Sequence, residues 1–102
     1  MSLLHTVSKS PFERTNLQSC LKLAKPGASV LLYEDAVIGA MQGTTLADLV
    51  AEAAKCCKLH VLGPDLAARG LDAGKVIPGV AVVDYAGFVD LAEQASAVQA
   101  WC

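Results

Sequence analysis

Four cysteines, Cys20, Cys56, Cys57 and Cys102, are the residues of this chain best suited to chemistry. A thiolate is a nucleophile and a metal ligand, so each is a candidate for covalent chemistry or metal binding. The sequence holds no Cys-x-x-Cys and no His-x-x-x-His, so a structural zinc site lacks its ligand spacing. Nor do the four form an evident disulfide framework; they read as thiols of a reducing compartment. Cys20 stands closest to cations, with Arg14, Lys22 and Lys25 a turn or two away along the chain. Such a field lowers a thiol pKa where the group reaches solvent. Cys20 also lies near the apolar face of a helical pattern, mid-helix, where the helix dipole gives little help. Two roles are therefore open for it, a packed thiol and a reactive one. Cys57 continues an apolar helical face and is expected in the core. Cys56 lies about 100° around the same helix and is expected to be wetter. A disulfide between these adjacent residues would be strained.

Carboxylates are the second candidate group. Glu34-Asp35, Asp65 and Asp84, with Ser8 to Ser10 and Tyr85, fall where strands are expected to end, the edge at which open parallel sheets bind ligands. Two carboxylate clusters there suit Mg²⁺ binding, as in phosphoacceptor domains, or an acid and base pair. The simpler expectation is that Asp35, Asp65 and Asp84 cap helices. After the first strand, Ser8-Lys9-Ser10-Pro11 lacks the glycines that let a backbone approach a phosphate, which speaks against a nucleotide enzyme. His5 and His60 lie inside expected strands and read as packed, hydrogen-bonded residues.

The elements that must position these groups alternate. Leu3 to Val7 is a short apolar run suited to a strand buried on both faces. Leu17, Cys20, Leu21 and Ala24 mark one helical face, with Thr15 and Gln18 in capping-box spacing and Pro26-Gly27 as the stop. An earlier start at Ser10-Pro11 with Glu13 is the alternative; a turn at Pro11 is favoured because Glu13 and Arg14 break the stripe. Ala28 to Tyr33 is the second strand, and Ala36 to Gln42 a short helix holding Gly39. Thr45 with Asp48 reads as the cap of a helix whose face is Leu46, Leu49, Val50, Ala53, Ala54 and Cys57. Leu59 to Leu62 is a strand. Gly63-Pro64 opens a helix through Arg69, closed by Gly70 in the left-handed conformation. Val80 to Val83 is the next strand, and Asp84 caps a last helix lined by Phe88, Leu91, Ala92 and Ala95. Alternation of this kind implies one α/β domain over residues 1–102, a three-layer α/β/α arrangement on a mainly parallel sheet of four or five strands.

Composition narrows the function. The chain has 102 residues, 54% of them hydrophobic and only 18% charged, against a usual 25% or so charged. A domain this small leaves much of its surface open, so the apolar surplus implies an oligomer subunit. The surplus does not imply a membrane span, because Ala28 to Tyr33 and Ala36 to Met41 are short and split by Glu34 and Asp35. Met1 to Val7 lacks the basic flank and long apolar core of a signal peptide, so a cytoplasmic location is expected. With a net charge of −2 and its few cations interrupted by Glu13, the chain offers no phosphate-binding stripe for nucleic acid.

Several segments together resemble a known family. Leu4-His5-Thr6-Val7, Ser10-Pro11-Phe12, Leu31-Leu32 through Asp35 and Val37, Ala68-Arg69-Gly70-Leu71, Val83-Asp84-Tyr85 with Phe88-Val89 and Leu91, and the closing Ala100-Trp101 follow the DsrH/TusB pattern over essentially the whole chain. The likeness is greatest to DsrH of sulfur oxidisers. The resemblance implies a DsrEFH-like α/β fold and a cytoplasmic subunit of a heterohexameric sulfur-relay complex, DsrEFH in sulfur oxidation or TusBCD in tRNA 2-thiouridine synthesis. Its partners would be DsrE/TusD-type and DsrF/TusC-type subunits, with a DsrC/TusE-type sulfur acceptor. The principal persulfide cysteine in that family belongs to the DsrE/TusD-type partner. A thiol matching Cys20 occurs in members from sulfur oxidisers, which makes Cys20 the candidate persulfide thiol here and tilts the expectation toward sulfur oxidation. A non-catalytic scaffold for the partner's active site is the competing expectation, with Trp101 as an anchor. Cys102 extends past the usual terminal Trp and is assigned no role.

Overall fold

The computed structural model describes residues 3–8, 16–25 and 27–101. Its strands are β1 (Leu3–Val7), β2 (Ser29–Leu32), β3 (Lys58–Leu62), β4 (Val80–Val83) and β5 (Ala97–Trp101). They form one sheet in the order β4-β3-β2-β1-β5, and every pairing is parallel. Parallel neighbours require crossovers, and the helices supply them: α1 (Asn16–Leu23), α2 (Ala47–Ala53), α3 (Gly63–Ala68) and α4 (Tyr85–Gln94), with 3₁₀ turns at Glu34–Ala40 and Ala73–Lys75.

Side chains alternate across the pleat, and the register sorts them into two unequal faces. Val7, Val30, Leu32, Leu59 and Val61 share one face and cluster with Leu17 and Cys20 of α1, Val37 and Ala40 of the first 3₁₀ turn, Val50 of α2 and Leu66 of α3. Leu4, Leu31 and Leu62 are buried on the opposite face, where α4 is the covering helix. The Phe88 ring of α4 lies 6.1 Å from that of Tyr33, and Leu91 and Gln94 border a small cleft with Ser29 and Lys58. Burying each large aliphatic side chain contributes about 1.5–3 kcal/mol, so the central strands hold most of the stability. The second face is thinly covered, since no residue of α4 is itself buried.

Local chemistry explains most element ends. Gly70, at φ 68°, closes α3: its N–H donates to Ala67 O and the Leu71 N–H to Leu66 O, the pair of bonds that satisfies carbonyls at a glycine-terminated helix. Asp84 caps α4, its Oδ1 accepting the Gly87 N–H at 2.8 Å. Two expectations are corrected. Helix α2 starts at Ala47, not at a Thr45 cap, because the Thr44 hydroxyl accepts the Leu46 N–H and holds residues 44–46 in a turn. The strand β5 went unread, because it is an edge strand, exposed from Ala97 to Ala100 and interrupted by Gln99, with no buried run to announce it. The candidate cap at Thr15 and the alternative start at Ser10-Pro11 lie outside the described residues.

Candidate functional site: thiols and the carboxyl edge

Cys20 sits on the inner side of α1 and is 0% exposed, in the same buried cluster as Leu17, Val30 and Val50. Burial pushes its thiol up to about 12, and the nearby Cys57 adds to the rise. This is opposite in direction to the lowering that Lys22 and Lys25 were expected to produce. Both lysines are on the solvent side, where water screens them, and Arg14 lies outside the described residues. The site favours a neutral, packed thiol.

Cys56 and Cys57 follow the end of α2, where the expectation held: Cys57 is buried and Cys56 exposed. The turn after α1 pins the dipeptide. The Gly27 N–H donates to Cys56 O at 2.7 Å, and the Cys57 thiol donates to Lys25 O at 3.5 Å. Burial, then the adjacent Cys56, raises the Cys57 pKa as well. Between α1 and α2 lies a cleft of about 300 Å³, lined chiefly by Leu21, Ala24, Leu49 and Ala53, with Lys22 and Glu52 beside Cys56 and Cys57. Cys102 falls outside the described residues.

At the carboxyl edge the acidic residues bind one another's segments. Asp65 Oδ2 accepts the Glu34 N–H at 2.6 Å, and Arg69 donates from Nε and Nη2 to Asp35 Oδ1 at 3.2 and 2.9 Å. Asp35 and Asp65 are thus ties between the turn after β2 and α3, not helix caps as expected; of the three, Asp84 is the cap. Glu34 needs such a tie, because it adopts φ 49°, a left-handed conformation unfavourable for a residue with a Cβ. The partnership of Asp35 with Arg69, 34 residues apart, has no local signal in sequence. The β1 end is occupied by its own chain: Val7 O accepts the Tyr33 N–H and Ser8 O the Ala36 N–H. Among the described residues no three His, Cys, Asp or Glu are grouped to hold a metal ion. An open hollow of about 470 Å³ near this edge is lined by Gly63, Pro64, Val82, Val83, Asp84 and Gly87.

His5 is buried in β1, and burial lowers its pKa. His60 in β3 departs from the expected hydrogen-bonded state, since both ring nitrogens are buried without a partner. Burial, then the neighbouring Lys58, lowers its pKa and holds the ring neutral.

Residues 9–98 match the family model described as DsrH like protein. The chain belongs to the DsrH-like family. It is 39% identical to Protein TusB of Erwinia tasmaniensis and 36% identical to Protein TusB of Sodalis glossinidius, in each case over 97% of this chain and all of the relative. Protein TusB of Shigella flexneri is 33% identical over the same share. Among solved structures, the ychN protein of E. coli superposes with a TM-score of 0.82 at 17% identity, covering 98% of this chain and 99% of that one. A Methanobacterium thermoautotrophicum protein of unknown function gives 0.73 at 17% identity, over 96% and 97%. Those two likenesses establish the fold. The family motifs also meet in space: Asp35, which lies in one of them, is the partner of Arg69 in another.

Proposed function

We propose that this chain is a TusB-type subunit of a cytoplasmic sulfur-relay complex, in which it shapes the assembly and a partner carries the principal persulfide. The observation that carries this reading is the burial of Cys20, which leaves the family's candidate thiol of this subunit in the core. Full-length similarity to proteins named TusB supports the relay and favours tRNA 2-thiolation over sulfur oxidation. The presence of Cys20 is what favours oxidation, and its enclosure in the core gives no support to a persulfide role for it.

The surface supports a subunit role. Val82, Tyr85, Val89 and Val98 are 45–59% exposed, on β4, α4 and β5. Both edge strands, Val80–Val83 and Ala97–Trp101, carry no charge or proline to discourage pairing. Partners of the DsrE/TusD and DsrF/TusC types, in a heterohexamer, would cover such surfaces, with a DsrC/TusE-type protein receiving the sulfur. Co-expression with the two partner types tests the reading. One complex should form, and omitting this chain should abolish sulfur transfer to the acceptor. A chain that stays monomeric beside its partners contradicts it.

A further inference from the structure

We propose that α4, together with the strips of sheet it leaves bare on either side, docks a sister subunit of the relay complex whose contact surface is apolar at its centre and cationic at its rim. The inference rests on the sulfur-relay reading for the existence of such a subunit, and on the geometry for the face and its chemistry. Helix α4 is apolar around most of its circumference: Phe88, Leu91 and Ala92 are half-buried, while Tyr85, Ala86 and Val89 are exposed, Tyr85 at 59% and Val89 at 54%. Tyr85 and Val89 are four residues apart and so form one stripe along the helix. A helix apolar on all sides belongs in an interior, yet no residue of α4 is buried.

The sheet leaves the same face short of cover. Its five strands, about 4.8 Å apart, span about 19 Å, and one helix with its side chains is about 10 Å wide. The centre of this face is sealed, with Leu4, Leu31 and Leu62 at 0–2% exposure. Its flanks are open: Val98, in register with Leu4, is 53% exposed on β5, and Ala81, in register with His60, is exposed on β4. Tyr85, Val89 and Val98 thus gather on one side of the molecule, which marks an interaction surface as singly scattered hydrophobics do not.

Charge selects the occupant. Residues 76–102, which supply β4, α4 and β5, hold Asp84, Asp90 and Glu93 and no lysine or arginine, and all three carboxylates are exposed. Lys58 borders the far end of the helix, beside Leu91 and Gln94, and leaves the face net negative. A second copy of this chain would set acid against acid, whereas a partner with a cationic rim is complementary. The hollow of about 470 Å³ at the start of α4 gives that rim a seat. Pro64, Val82, Val83 and Gly87 line it, and Asp84 supplies its one carboxylate. Apolar walls with a single anion suit a side chain of apolar stem and cationic head, a lysine or an arginine from the partner.

The test titrates the full chain with DsrE/TusD-type and DsrF/TusC-type subunits and measures hydrogen exchange on the chain free and assembled. Amides of α4 should exchange more slowly in the complex. Asp84→Asn keeps the helix cap, because asparagine caps as well as aspartate does, and removes the charge; it should weaken assembly about tenfold. Val89→Asp, a change at an exposed position, should weaken it at least as much. A complex in which α4 exchanges as fast as in the free chain, or which both variants form with native affinity, overturns the proposal. So does self-association of the native chain through this face, seen as a dimer that Val89→Asp dissolves. The two readings fail differently: a native chain that joins neither subunit refutes the relay complex itself, while a complex that forms and leaves α4 bare refutes the docking face alone.

Discussion

Replacing Cys20 by serine and by alanine separates a packed thiol from a surface one. Cys20 is 0% exposed within an aliphatic cluster. Alanine removes one buried heavy atom, about 1 kcal/mol of transfer, with up to about as much again for the space left behind. Serine loses the same apolar contact and adds a hydroxyl that an aliphatic cluster does not satisfy, leaving it to compete for a helix carbonyl one turn back. Burying that hydroxyl with poor satisfaction costs about 1–3 kcal/mol, so serine should be the worse substitution, at roughly 2–3 kcal/mol in total. Stability for a domain of this size is about 5–15 kcal/mol, and 1 kcal/mol moves the midpoint by roughly 4–8 °C. Thermal and urea unfolding of the complex or the chain, followed by circular dichroism, should therefore order the proteins as wild type, alanine, serine, with serine lower by about 10 °C or more. Both variants within about 0.5 kcal/mol of wild type would refute the reasoning, because that is the signature of a surface position.

Other outcomes follow from the same packing. His60 and His5 have pKa values lowered by burial, so the unfolded chain binds more protons below the ordinary histidine value. Their contribution is complete above about pH 6.5 and declines as pH falls from there, by at most about 1.4 kcal/mol per pH unit for each histidine. Urea midpoints at pH 7.5 and 5.5 should show the loss, and His60→Leu should flatten it; an unchanged slope contradicts the burial of a neutral ring. Gly87→Ala should destabilise by about 1–3 kcal/mol despite alanine's better helix propensity, since its Cβ would lie 2.9 Å from the Val83 Cβ. A neutral or stabilising result would mean that α4 shifts freely on the sheet. Glu34→Gly should stabilise by up to about 1 kcal/mol by relieving the left-handed backbone, and Asp65→Ala should destabilise by about 1–2 kcal/mol by releasing the Glu34 N–H. The reverse order of those two would contradict the tie.

The central strands were legible because a parallel strand buried on both faces reads as a mostly apolar run, as Leu3–Val7, Ala28–Tyr33 and Leu59–Leu62 do, while the edge strand Val80–Val83 was legible from its valines alone. Punctuation that acts locally was legible too: Gly70 and Asp84 each complete bonds within a few residues. What escaped the sequence depends on contacts between distant segments. β5 becomes a strand by pairing with β1, and Asp35 and Asp65 look like caps until Arg69 and the Glu34 N–H claim them. Cys20 shows the same limit at the candidate site. Lys22 and Lys25 are near it in sequence but exposed, while the thiol is enclosed, so desolvation decides its pKa. The family likeness was readable because it lay in segments spread over the whole chain, and it made Cys20 a candidate that packing then enclosed.

The most direct measurement is the rate of sulfur transfer from donor to acceptor by the assembled complex carrying Cys20→Ala, expressed per mole of assembled complex. A rate equal to that of the native complex is expected, since a thiol enclosed in the core takes no part in the exchange. An assembled, folded complex that has lost transfer would place the sulfur on Cys20 and contradict its role as a packing residue.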